Sequence, residues 1–259
     1  MTKSNGTGVP RKVGAPKIDG EFYSHARHDV RTPLTAILGF AESMNEEIFG
    51  PLGHEKYAEY ASAILKSGRG LERFLTALLA ILSLDAGELS LNEDEHSVDH
   101  LFNDLKASWT SQADDWDLAL EFASDANLPN LYADRHRLLQ ALDCIVENAL
   151  RFTGAGGRVA ISAATDAAGD LLFAVEDTGP GLTDQDMDTA LMPFGRIEGV
   201  AAHGGPGGGP GPGLGINLAA GFMALHQGAL SIASVPGQGT RAELTIPKAR
   251  LKDKNRLPA

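Results

Sequence analysis

From Val30 the apolar positions recur at Val30, Leu34, Ile37, Ala41, Met44 and Ile48, in alternating steps of four and three. That rhythm keeps one apolar seam along a helix. Gly and Pro then interrupt it at Phe49-Gly50-Pro51-Leu52-Gly53, which reads as a turn. The same steps resume through Tyr57, Ala61, Ile64, Gly68, Leu71, Leu75, Leu78 and Leu82. Residues 21–88 are therefore expected to form a hairpin of two long helices. A lone hairpin covers each seam from one side only, so pairing of two chains into a four-helix bundle, a homodimer, completes the burial. Packing of the hairpin against the rest of the chain is the competing way to cover it.

After Asp85-Ala86-Gly87 the texture changes. Leu118 to Phe122 and Val159 to Ala163 alternate as short strands, and Leu171 to Val175 reads as a buried strand. Between the first two, Leu138, Leu142, Ile145, Val146 and Ala149 share one stripe of a helix over Arg135 to Arg151. A second helix is expected over Ile216 to Leu225, followed by strands Ala229 to Ser234 and Arg241 to Ile246 joined at Pro236-Gly237-Gln238-Gly239. Interleaved strands and helices over 93–249 predict a layered α/β sandwich, and the whole chain is of the α+β class. Residues 1–20 and 250–259 read as tails, the first basic and flexible through Lys3, Arg11, Lys12 and Lys17.

A chain of 259 residues, 43% apolar and 22% charged, has room for two packed domains. Its net charge of -12 argues against nucleic-acid binding, because a phosphate backbone recruits clustered Lys and Arg. The single Cys144 cannot form an internal disulfide. No apolar run approaches the roughly 20 residues that span a bilayer, and residues 1–20 lack an apolar signal core. A cytoplasmic protein without a membrane span is expected, with any signal arriving from a soluble sensor or partner.

Three clusters carry candidate chemistry. His28 lies two positions before the seam, and at about 100° per residue it turns roughly 160° from the mean seam direction, toward solvent. Thr32 shares that face, and Pro33 sits within the helix, where it costs about 3 kcal/mol. Asp29 can take the proton of one ring nitrogen and leave the other nucleophilic. On spacing alone, a phosphate acceptor and an exposed structural histidine both remain open. Asp177-Thr178-Gly179-Pro180-Gly181 ends a strand; it is either a simple turn or a site where a carboxylate meets a purine amine. The glycines and prolines of Gly204 to Gly215 suit a linker or a mobile lid, and Gly213-Leu214-Gly215 opens a helix whose amides could meet phosphate. Within Glu147-Asn148-Ala149-Leu150-Arg151-Phe152, the Asn148 oxygen suits magnesium and Arg151 suits phosphate, although an Asn and an Arg on a helix are by themselves more often solvated surface.

The run His28-Asp29-Val30-Arg31-Thr32-Pro33-Leu34 resembles the phosphoacceptor motif of the sensor histidine kinases of two-component signalling. The order Asn148, Asp177-x-Gly179-x-Gly181, Phe194, Gly213-x-Gly215, Gly237-x-Gly239-Thr240 resembles the ATP-binding boxes shared by those kinases, gyrase, Hsp90 chaperones and mismatch-repair ATPases. The resemblance spans residues 22 to about 248. It implies autophosphorylation of His28 from ATP and Mg2+, followed by transfer to an aspartate of a response-regulator receiver domain. It also implies that Asp29 assists transfer and that Thr32 places a water for the reverse, phosphatase reaction. Asn148 would hold magnesium, Asp177 would read adenine, Phe194 and Arg196 would belong to the lid base, and Thr240 would support the adenine pocket. Two positions depart from the pattern: Cys144 stands where these kinases often carry Asn, and Arg151 where they carry Lys. A phosphotransfer scaffold with a vestigial ATP domain is the rival, and a gyrase-like or chaperone-like ATPase ranks below it because Cys144 occupies the place of that group's catalytic Glu.

Overall fold

The computed structural model describes residues 8–14, 18, 20–125, 128–197 and 213–252. The first seven residues, the last seven and most of the Gly/Pro-rich segment lie outside this set, and so does the expected lid. In chain order the elements are β1 (Arg11–Lys12), α1 (Gly20–Asn45), α2 (Glu55–Asp85), β2 (Asp94–Ser97), α3 (Val98–Asp115), β3 (Ala119–Ser124), β4 (Asn130–Ala133) and α4 (Arg135–Phe152). They continue as β5 (Arg158–Thr165), β6 (Leu171–Asp177), α5 (Asp184–Leu191), α6 (Gly215–Leu225), β7 (Ala229–Val235), β8 (Gly239–Ile246) and β9 (Leu251–Lys252).

The hairpin forms as its periodicity predicts. The α2 N-terminus is closed by His54, whose side chain accepts from the Lys56 N–H, and Tyr57 donates its hydroxyl proton across the turn to the Gly50 carbonyl at 2.7 Å. The seam departs from expectation near the end of α2. Leu75 is 41% exposed, whereas Phe74 and Ile81 are buried. Apolar residues cover two faces of α2 there, and one of them packs against the second domain in a common cluster with Phe22 and Ala26 of α1. Leu34, Leu38, Leu65 and Leu79 stay exposed on the hairpin.

The second domain is a two-layer sandwich. Six strands lie in the order β1-β7-β8-β6-β5-β3, and a small sheet runs β2-β4-β9. Among the described strands only β3 and β5 pair in parallel; the remaining pairs are antiparallel. Inward residues alternate along the strands, as with Val159, Ile161 and Ala163 on β5 and Ala242, Leu244 and Ile246 on β8. They bury against α4 and α6, and α6 is apolar enough to be buried nearly all round. Sequence periodicity missed α3 and α5, and the two-residue and four-residue strands are too short to show a period.

His226 fastens this layer from within. Fully buried, it accepts from the Asp134 N–H through Nε2 at 3.1 Å, and its Nδ1 meets the Phe222 carbonyl at 2.8 Å. The carbonyl accepts only, so Nδ1 carries the proton of the neutral ring. Burial holds the imidazole below its ordinary pKa, with the Phe222 carbonyl partly opposing.

Part of the expected flexible tail is ordered. Arg11 and Lys12 pair with Ile232 and Ser231 at the sheet edge, and the Val13 N–H donates to Leu230 O at 2.9 Å. Arg11 also reaches Asp184 at 2.6 Å and Asp188 on α5. These ion pairs are exposed and contribute little beside the ladder. A Cβ at Gly8 would come 2.3 Å from Ser234 O, so the approach requires glycine. Gly8→Val is therefore expected to peel this strand away, seen as faster amide exchange at Leu230 and Ile232 with the melting temperature little changed. Unaltered exchange would show that the pairing does not persist in solution.

Candidate active site

Backbone geometry carries the acceptor side chain outward. His28 projects from α1 with its side chain 76% exposed, and its Nδ1 lies 3.2 Å from Asp29 Oδ1. Asp29 is itself largely covered, and its Oδ2 accepts from Arg196 Nη2 at 2.7 Å. Thr32, one turn on, is exposed and donates to His28 O at 3.2 Å. Pro33 lies inside the helix and has no N–H to offer the Asp29 carbonyl.

Opposite this face, β6 delivers Asp177 to its end. Asp177 Oδ1 accepts from the N–H groups of Gly179 at 2.8 Å and Thr240 at 3.2 Å. Burial nonetheless pushes its carboxyl up to about 6, against those two bonds. Gly181 has φ +65, and a Cβ there would meet Val235 O at 2.0 Å, so only glycine completes the turn. Thr240 Oγ1 is 2.9 Å from Ser234 Oγ, which in turn receives the Leu182 N–H.

On α4, Asn148 is half-buried on the cleft wall, and the buried Arg151 pairs with Glu147. Cys144 lines the same wall. Burial, with Glu147 and Asp143 adding to it, pushes its thiol up to about 12, so the sulfur stays protonated at neutral pH.

One cleft of about 1170 Å³ joins both sets of residues. It is lined by His28, Asp29 and Thr32 from α1, by Asn148, Arg151 and Phe152 from α4, and by Asp177, Gly181, Arg196, Gly213, Gly215 and Thr240. Two expected residues do not line it. Leu214 is fully buried ahead of α6, and Gly179 is buried and serves Asp177 through its amide. Lys66 and Arg73 of α2 add positive charge that the motif reading passed over, although their spacing of seven puts them on one helical face.

Phe194 closes the seam between the halves. Its φ of +63 is left-handed for a side-chain-bearing residue and costs on the order of 1 kcal/mol or more. Its ring lies 4.9 Å from Phe22 and 6.3 Å from Phe74, and its N–H donates to Gly213 O at 2.9 Å.

Fold and site thus define an α/β sandwich docked on a helical hairpin that presents a histidine to the cleft between them. Residues 133–250 match the family of histidine kinase-, DNA gyrase B- and HSP90-like ATPases, and residues 19–87 match the His Kinase A (phospho-acceptor) domain. The chain belongs to the histidine kinases. The cell-division control histidine kinase PdhS of Brucella suis is 32% identical over 235 residues, 89% of this chain and 23% of PdhS. The chain therefore spans about a quarter of the length of this curated relative. Among solved structures, Acinetobacter baumannii histidine kinase AdeS superposes with a TM-score of 0.68 at 20% identity, over 85% of this chain and 98% of the solved AdeS chain. Histidine kinase ThkA, solved in complex with response regulator protein TrrA, superposes with a TM-score of 0.65 at 21% identity, over 88% of this chain and 61% of ThkA. Both likenesses are of fold. Among the described residues, no helix is long and apolar enough to cross a membrane.

The raised carboxyl of Asp177 has a consequence with a definite sign. Its contribution to stability is present below the ordinary carboxylate range and is lost as pH rises through about 6. At pH 7.5 the ionised group costs folding free energy, on the order of 2–3 kcal/mol. Asp177→Asn keeps an oxygen for Gly179 and Thr240, so it is expected to raise the melting temperature at pH 7.5 and to narrow that gap near pH 4.5. A variant less stable than the parent at both values would contradict this assignment.

Proposed function

We propose that this chain is the core of an ATP-dependent protein-histidine kinase that phosphorylates His28 and passes the phosphoryl group to an aspartate of a response-regulator receiver domain. The observation that carries this reading is one cleft holding both the exposed His28 and the recessed Asp177. Adenine would place its exocyclic amine against the Asp177 carboxylate, whose Oδ1 already takes two backbone donors. Magnesium fits the donor set: a half-buried amide oxygen at Asn148 supplies the one hard protein ligand, with phosphate and water oxygens completing the shell. When bound, the ion neutralises charge on the terminal phosphates.

His28 Nε2 would attack the γ-phosphorus in line. The P–N bond forms, the P–O bond to ADP breaks, and Asp29 Oδ1 takes the Nδ1 proton. The phosphoramidate then yields its phosphoryl group to a receiver carboxylate, as the pairing of ThkA with a response regulator in a solved complex suggests by analogy. Thr32, exposed on the same face, would orient water for the reverse, phosphatase reaction. Cys144, a thiol held protonated at the place of the catalytic Glu of the gyrase-like and chaperone-like ATPases, ranks that reading lowest. The reaction is assigned to the cytoplasm, with input from a soluble sensor or partner.

Incubation with γ-labelled ATP and Mg2+ is expected to leave acid-labile label on the parent and none on His28→Ala. Label retained by His28→Ala, or steady ADP release without labelled protein, would refute the kinase reading. The exposed Leu34, Leu38, Leu65 and Leu79 support a homodimer through the hairpin. Leu38→Glu with Leu79→Glu is expected to halve the mass measured by light scattering, while an unchanged mass would place any dimer contact elsewhere.

A further inference from the structure

Resting on the kinase reading above, we infer that Arg196 is a positioning residue for phosphotransfer: it clamps Asp29 so that His28 presents an unprotonated Nε2, and it does so only while the ATP-binding domain is docked on the hairpin. Three observations lead there. Asp29 uses both oxygens, Oδ1 toward His28 Nδ1 and Oδ2 toward Arg196 Nη2. Arg196 comes from the segment after α5, 167 residues away in sequence, and so joins the two domains at the acceptor itself. The backbone before it is fixed: Gly195 N–H donates to Met192 O at 3.0 Å, and a Cβ at Gly195 would overlap Thr189 O at 1.8 Å.

The chemistry follows from the two tautomers of a neutral imidazole. The nitrogen that attacks phosphorus must hold a lone pair, and which nitrogen keeps the proton is set by the hydrogen bond the other makes. His28 is exposed, and among the described residues Asp29 is the group that holds its ring. A neighbouring aspartate on a helix surface would ordinarily sample several rotamers. The Arg196 bond at Oδ2 selects the rotamer in which Oδ1 receives Nδ1–H, which leaves Nε2 free. Phe194 supplies the contingency. It is held between Phe22 and Phe74, two residues before Arg196, so lifting the domain off the hairpin withdraws the clamp. The acceptor is then armed by docking rather than by nucleotide alone.

The test measures the His28 tautomer by ¹⁵N NMR without ATP, and separately the rate of labelling and the affinity for a non-hydrolysable ATP analogue. In the parent and in Arg196→Lys the Nδ1-protonated tautomer is expected to dominate; in Arg196→Ala the population shifts toward Nε2–H. Arg196→Ala is expected to slow labelling roughly 10- to 100-fold, a part of what a positioned acid or base supplies, with any loss of analogue affinity too small to account for it and with Arg196→Lys partly restoring the rate. Asp29→Asn combined with Arg196→Ala is expected to be no slower than Asp29→Asn alone, because the two act as one unit. Multiplicative losses, a loss of analogue affinity that accounts for the rate, or an unchanged tautomer population in Arg196→Ala would each overturn the proposal. If the parent took up no label, the kinase reading would fall by itself, while the tautomer measurement would still decide whether Arg196 sets the His28 proton.

Discussion

The seating of Phe194 between Phe22 and Phe74 is the contact on which the arrangement depends. A hairpin that projects a histidine and a sandwich that encloses a carboxylate can exchange chemistry only where they meet. They meet at a residue with φ +63, a conformation that packing must over-determine if it is to persist. The aromatic slot does so, since buried ring pairs contribute about 0.5–1.5 kcal/mol beyond their area. From that anchor the chain runs directly to Arg196 and the acceptor, and the remaining walls of the cleft follow from the sandwich.

Within the sandwich, stability is given up at the site and recovered elsewhere. Asp177 is held where burial opposes its charge. His226 does the opposite work. It is buried and neutral, and it ties the start of α4 to the end of α6, two helices that both line the cleft. Acid that protonates His226 removes that tie, because its folded-state pKa lies below the ordinary value and its contribution is lost as pH falls through it. Asp177 and His226 therefore favour the folded state at opposite ends of the pH range.

The long-period features were legible from residues alone. Steps of four and three revealed α1 and α2, the stripe Leu138-Leu142-Ile145-Val146-Ala149 revealed α4, alternation revealed β3 and β5, and a buried apolar run revealed β6. The motif reading also brought His28, Asn148, Asp177 and Thr240 to one cleft. What stayed hidden was contact between distant segments. No local pattern distinguishes Leu75, which faces out, from Phe74, which is buried, because both are apolar and only the second domain chooses between them. Nor does composition show that Arg11 and Lys12 join a sheet edge, since two residues have no period. The Arg196–Asp29 pair belongs to the same class: each residue reads as surface charge until the fold brings them together.

Under the proposed function, a nucleotide held by Asp177 would direct its terminal phosphate to His28. The most direct test is a crystal structure of this chain with a non-hydrolysable ATP analogue and Mg2+. Adenine is expected against Asp177, with a γ-phosphorus about 3–3.5 Å from His28 Nε2 or brought there by a small rotation about the Phe194 contact. A purine bound away from Asp177, or a phosphate chain leading off from α1, would contradict it.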